Sequence, residues 1–164
     1  MRKIIKRISG KLFLNKVRRQ ACRCGERVRV NFPSRVNKET IIGDNCHFNG
    51  IQVYGRGEVV IGNNVHCAKG LQIYTSFHNY EGTKLPYDET VINKDIFIGD
   101  NVWIGADVTI LGGVSIGEGA IIQAGSVVVK DIPALGIAGG HPAMPFKYRD
   151  KDHYEKLKAE SAFL

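Results

Sequence analysis

Nowhere in the 164 residues is there an apolar run approaching the 18 or so residues that would cross a bilayer as a helix. The basic start also lacks the long apolar core of a secretion signal, so the sequence reads as a cytoplasmic protein. Cysteine is scarce. Cys22, Cys24, Cys46 and Cys67 show no paired C-x-x-C spacing, which argues against a structural zinc site or a redox dithiol and for free thiols. There are only five prolines and a single tryptophan, Trp103, against 19 glycines and 43% hydrophobic residues. That combination is too apolar for a disordered low-complexity chain, so the glycines serve a folded backbone.

Positive charge is present but unevenly placed. The formal charge is +7, yet residues 1–30 hold eleven Lys or Arg and one acidic residue, Glu26. The other twelve basic and fifteen acidic residues leave the body slightly negative. A basic tail on a neutral body, with no recognisable binding motif, argues against a nucleic-acid partner.

What the sequence does have is a period of six. Ile98, Ile104, Ile110, Ile116, Ile122 and Val128 stand six apart, and four places after each come Val102, Val108, Val114, Ala120, Ser126 and Ile132. A helix needs a period of 3.6 and a flat strand a period of 2, so neither fits. Short strands joined by repeated corners do, with three hexads closing one triangular coil. The pattern also reads backwards through Ile61, Cys67 and Ile73, with Val65, Leu71 and Phe77 in the second inward register. The step from Ile42 to Ile61 is one position longer than such a coil, a slip that a single bulge would absorb. Between Ile73 and Ile92 the count breaks at TSFHNYEGTKLPYDETV, expected to be a loop leaving the coil.

Taken with these motifs, the text IGDNVWIGADVTILGGVSIGEGAIIQAGSVVVKDIP, followed by IAGGHPAMPFKYRD, resembles the hexapeptide-repeat acyltransferases, particularly their sugar O-acetyltransferase branch that includes the maltose and galactoside enzymes. The resemblance implies an all-β fold, a left-handed parallel β-helix; short helical segments at both ends are read from the residues themselves, Ile5, Ile8 and Leu12 falling on one helical stripe among basic residues in 1–20 and residues 147–161 forming a charged helical stretch, both able to cap the coil stack. The expected organisation is a basic capping segment over 1–30, the β-helix over 31–145 with a protruding loop at about 75–91, and a helical tail over 146–164. It also implies a homotrimer with active sites at subunit interfaces, acetyl-CoA as donor, and no metal.

The family's catalytic base maps onto His78. A sugar hydroxyl is a weak nucleophile, and a neutral imidazole can take its proton during attack on a thioester; a purely structural loop histidine is the competing reading. By resemblance, Trp103 lies beside the pantetheine arm, backbone groups around Gly105, Ala106 and Ala124 line the donor, and the Ala106 N–H faces the thioester oxygen. Lys130 and Lys147 match the positions that meet coenzyme A phosphates, with Arg149 as a neighbouring candidate. Met144 and Val129 depart from the family, replacing a frequent basic residue and a frequent hydroxyl. Asn49, Tyr80, Tyr87 and Asp88 are the expected acceptor contacts, and Asp88 could also orient His78. Cys67, in an inward register, reads as core rather than nucleophile.

The acceptor is expected to be a sugar or lipid-linked glycan in surface-polysaccharide assembly, with an antibiotic hydroxyl of the streptogramin type as an alternative. A carbonic-anhydrase-like metal enzyme is a further alternative, because His47 and His66 stand about one coil apart. A non-enzymatic scaffold would leave His78, Trp103 and Lys130 unexplained. Ile4, Ile5, Ile8 and Leu12, set among Lys3, Lys6, Arg7 and Lys11, could form either a cap or a helix on anionic lipid, with peripheral attachment at the inner membrane face.

Overall fold

The computed structural model describes residues 2–164, with side chains from Gly10 onward. The side chains of the apolar and basic residues before Gly10, on which the lipid-binding expectation mostly rests, lie outside the described residues. The chain opens with helix α1 (Arg2–Gln20) and ends with helix α2 (Lys151–Ala159). Between them short strands stack in parallel and form three faces.

The first face carries β1 (Arg23–Cys24), β3 (Thr40–Ile42), β5 (Val59–Ile61), β9 (Ile96–Ile98) and β12 (Ser115–Ile116). The second carries β2 (Arg29–Val30), the starts of β4 (His47–Tyr54) and β6 (His66–Tyr74), then β10 (Trp103–Ile104), β13 (Ile121–Ile122) and β15 (Gly136–Gly140). The third is built from the ends of β4 and β6, with β11 (Thr109–Leu111) and β14 (Val127–Val128) above them. A strand outside the parallel stack, β16 (Ala143–Tyr148), closes the top by pairing antiparallel with β15.

Both inward registers read from the sequence are buried, from Ile61, Cys67 and Ile73 up to Ile122, Val128 and Ile132. Each fully enclosed Ile contributes roughly 1.5–3 kcal/mol of transfer free energy, so the period of six is the pattern of the core. Phe77 is the exception. It leaves the second register and stands half-buried on β7 (Ser76–His78), which pairs antiparallel with β8 (Val91–Asn93). The expected loop is therefore a β-hairpin with its tip over residues 79–90, since backbone groups leaving the stack pair with each other.

The long step from Ile42 to Ile61 is not one bulge. Phe48 pairs with Cys67 and Ile51 with Leu71, so the corner at Asn49–Gly50 is a residue shorter than the one above it. The wider turn through Gly55 (φ 96°) and Gly57 makes up the difference. Strands also begin before residue 31 and continue past 145, because β1 and β2 pair with the coil above them and β16 runs to Tyr148.

One corner shows how the sequence holds the stack in line. Asn45, Asn64 and Asn101 adopt left-handed backbone (φ 54°, 56° and 59°), which Asn tolerates better than most residues. Their amides join into a ladder, with Asn45 Nδ2 donating to Asn64 Oδ1 and Asn64 Nδ2 to Asn101 Oδ1, both at 2.9 Å. Helix α2 fastens to the top of this ladder. Asn101 donates to the Tyr154 hydroxyl, which donates to Glu118, and Lys158 closes an ion pair with the same carboxylate at 2.6 Å. These donors, Lys158 first, hold the Glu118 carboxyl below the usual range. The chain then runs back down to the lower coils, where Asn45 donates to the Leu164 carbonyl.

Candidate active site

His78 ends β7 with its imidazole exposed and stacked on Tyr87, ring centroids 3.9 Å apart and 13° from parallel. Neither ring nitrogen bonds to another described residue, so both are open to a ligand. The hairpin stands over the third face and borders an open cavity of about 680 Å³ lined by His78, Tyr80, Phe77, Ile92, Leu111 and Val129. Tyr80 is 73% exposed at its mouth.

Asp88 does not orient His78. Its carboxylate accepts from the Thr83 N–H and from the N–H and hydroxyl of Thr90, so it shapes the hairpin tip. Those bonds, led by the Thr90 hydroxyl, lower its pKa. Asn49 is likewise committed within the fold, accepting from Asn31 and donating to the Cys67 carbonyl.

Trp103 stands on the second face, 58% exposed, between His66 below and Ile121 above. The outward column continues through Ile137 to Lys147 on β16. Three strand spacings separate Trp103 from Lys147, roughly 14 Å at about 4.8 Å each. This alignment could not be counted from the sequence, because the step from Ile121 to Ile137 is shorter than a full coil and Lys147 arrives antiparallel. Lys130 is exposed just past β14, next in sequence to Val129 of the hairpin cavity. Arg149 donates one of its N–H groups to the Gly119 carbonyl at 3.3 Å and lies over the Tyr154 ring.

The corner between the second and third faces has an open donor. At the preceding corner the N–H groups of Glu26, Asp44 and Asn63 each donate to a side-chain oxygen one coil up, on Asp44, Asn63 and Asp100. Ala106 is the equivalent residue here, as the Gly125 N–H bond to its carbonyl matches those of Asn45 and Asn64 to Glu26 and Asp44. One coil above Ala106 stands Ala124, which has no side-chain acceptor, and the Ala106 N–H has no partner among the described residues. Gly105 is required beside it. A Cβ there would sit 2.4 Å from the Ala124 nitrogen.

Trp103 and His78 line different cavities, since Trp103 belongs to a groove of about 550 Å³ between the second face and α2. His47 and His66 stack at 4.2 Å in the column below Trp103, and burial lowers both pKa values. Among the described residues no group of three or more His, Cys, Asp or Glu is placed to hold a metal ion. Cys67 is enclosed in the core and Cys46 beside it is pushed up to about 11 by burial, conditions that disfavour a thiolate nucleophile.

Residues 95–130 match the family model described as bacterial transferase hexapeptide (six repeats). No curated protein matches the chain. Among solved structures, a hexapeptide-repeat-containing acetyltransferase from Vibrio cholerae, complexed with acetyl coenzyme A, is 30% identical over 81% of this chain and 74% of its own (TM-score 0.72). A galactoside acetyltransferase in complex with coenzyme A is 26% identical, covering 91% and 83% (TM-score 0.71). A maltose O-acetyltransferase from Clostridium difficile is 30% identical, covering 79% and 67% (TM-score 0.63). With its six-residue core period, its stacked parallel coils and these similarities, the chain belongs to the hexapeptide-repeat acetyltransferase family.

Proposed function

We propose that this protein transfers an acetyl group from acetyl-CoA to a hydroxyl of a sugar or lipid-linked glycan in surface-polysaccharide assembly, with His78 as general base. The observation that carries this reading is the open N–H of Ala106, on the corner beside Trp103. A fixed backbone donor in that place suits the thioester oxygen, which gains negative charge as the hydroxyl attacks. In the reaction His78 takes the hydroxyl proton while the new C–O bond forms. The C–S bond then breaks, and the proton passes from His78 to the departing thiolate, so no acyl-enzyme is needed.

The column from Trp103 to Lys147 suits an extended donor, with the indole against the pantetheine arm and Lys147 towards a phosphate. Gly105 and Ala124 keep the corner close and bare. Lys130 offers a second cation, Tyr87 holds the imidazole of His78, and Tyr80 offers the acceptor an aromatic edge.

Because His78 and Trp103 line different cavities of one chain, the reading requires a second copy. A homotrimer would bring the hairpin of one protomer against the donor corner of its partner. Peripheral attachment to anionic lipid through the basic end is part of the same reading. It is supported by exposed Lys11, Lys16, Arg18 and Arg19 beside Leu12, which is 64% exposed. No helix among the described residues is long and apolar enough to cross a membrane.

The test is His78→Ala, followed as coenzyme A release from acetyl-CoA with the best acceptor. Loss of the base lowers the rate by about 10²–10⁴-fold with the fold unchanged by circular dichroism. An unchanged rate refutes the assignment.

A further inference from the structure

A cleft of about 340 Å³ with mixed polar and apolar walls lies directly below the Ala106 corner, apart from the hairpin cavity and from the groove beside α2. Asp107 forms its upper end, Lys69 and Gln72 follow one coil down, then Gln52 and Tyr54, and Phe32 stands at the bottom. The cleft thus crosses four successive coils, roughly 14 Å at about 4.8 Å per strand. That is longer than one pyranose ring.

Its chemistry is equally specific. Asn49, also in the wall, is tied to Asn31 and Cys67. Gln52 spends its Nε2 on the Pro33 carbonyl and Gln72 its Oε1 on the Tyr74 hydroxyl. The other ends of both amides, Gln52 Oε1 and Gln72 Nε2, have no partner among the described residues. Neither has the Lys69 ammonium nor the Asp107 carboxylate, and the two do not pair with each other although the Asp107 N–H donates to the Lys69 carbonyl at 2.7 Å. Asp107 is held by left-handed backbone (φ 53°) close against Gly70, where a Cβ would clash with its carboxylate. Phe32 and Tyr54 are 44% and 37% exposed and add aromatic surface.

Alternating donors and acceptors along an aromatic edge match the hydroxyls and apolar ring faces of carbohydrate. We infer that this cleft binds an oligosaccharide of more than one unit, with the sugar to be acetylated uppermost beside Ala106 and the rest of the chain running down over Lys69, Gln52 and Tyr54. The inference rests on the glycan-acceptor reading and narrows it from a free sugar to a polymer or its growing chain.

The experiment compares binding of mono- and tetrasaccharides to the full-length protein by ligand-detected NMR titration. One neutral series (glucose and maltotetraose) and one acidic series (sialic acid and its α2,8-linked tetramer) serve as probes. In at least one series the tetramer should bind about tenfold or more tighter than the monomer, the factor that one or two extra hydrogen bonds supply. Gln52→Ala and Lys69→Ala, both on the solvent side of the wall, should bring that ratio towards one with unchanged thermal unfolding. Equal affinities in both series, no binding in either, or a ratio indifferent to both substitutions overturns the inference. Calorimetric titration with coenzyme A runs alongside: if coenzyme A binds and the tetramers do not, the cleft alone is refuted, whereas failure to bind coenzyme A refutes the transferase reading itself.

Discussion

Replacing Ala124 with Asn would close the donor on which the proposed mechanism depends. At the neighbouring corner, Asn63 Oδ1 takes the Asp44 N–H from one coil up at 2.8 Å. The introduced amide would stand in the same relation to Ala106, because the corners share the bond from the following N–H to the carbonyl below. Ala124 is exposed, so the larger side chain meets no packed wall. The new hydrogen bond should leave stability unchanged or raise it by about 0.5–1.5 kcal/mol. Transfer should nonetheless fall by about 10²–10³-fold, the cost of losing one preorganised donor, or roughly 2.7–4 kcal/mol of transition-state stabilisation. The assay is single-turnover acetyl transfer at saturating donor, with unfolding midpoints measured on the same samples. An Ala124→Asn protein that is equally stable and equally active would refute the role given to the Ala106 N–H. One that loses stability as well as activity would refute the equivalence of the corners.

Three other outcomes follow from the fold. Asn64→Ala removes a ladder rung and forces Ala into left-handed backbone, costing about 3 kcal/mol from two hydrogen bonds and about 1 kcal/mol of backbone strain; Asn64→Gly spares the strain, and chemical denaturation should separate the two. Burial holds His47 and His66 below the ordinary histidine value of 6.5, so the unfolded chain binds more protons between the two values. Stability should therefore fall on acidification from about pH 6.5 downwards, and a flat unfolding midpoint between about pH 7 and 5 would contradict it. Glu118 has its pKa lowered by Lys158, so the clasp on α2 is complete above the ordinary carboxylate value of 4.5 and is lost as pH drops through the lower folded value; hydrogen-exchange protection factors of the α2 amides, corrected for the intrinsic rate at each pH, should fall in that acid range and stay constant above it.

Much of the fold could be read directly because its rule is local. From Ile98 to Val128 each hexad places its own apolar residue inward, and the same count identified Cys67 as core and marked the interruption that carries His78. The two terminal helices were legible from amphipathic spacing and charge. The hairpin was not, since pairing Phe77 with Ile92 depends on strands separated by a turn rich in polar residues. The sequence offers Asn49 as an acceptor contact through its place in the family pattern, and Asp88 through its place in the loop with His78. Their hydrogen bonds to Cys67 and to Thr83 and Thr90 depend on which backbone groups the folded corners leave open.

The sequence by itself determined the prism, its inward residues and the family, because a six-residue period is satisfied one coil at a time. Only the tertiary structure decided what stands above what. Coils lengthened at the Gly55 turn and the hairpin, and shortened between Ile121 and Ile137, shift the register from one layer to the next. Trp103 therefore shares a column with Lys147 while His78 faces another cavity. Among the described residues, Ala106 keeps an unpaired N–H because Ala124, the residue stacked over it, has no side-chain oxygen.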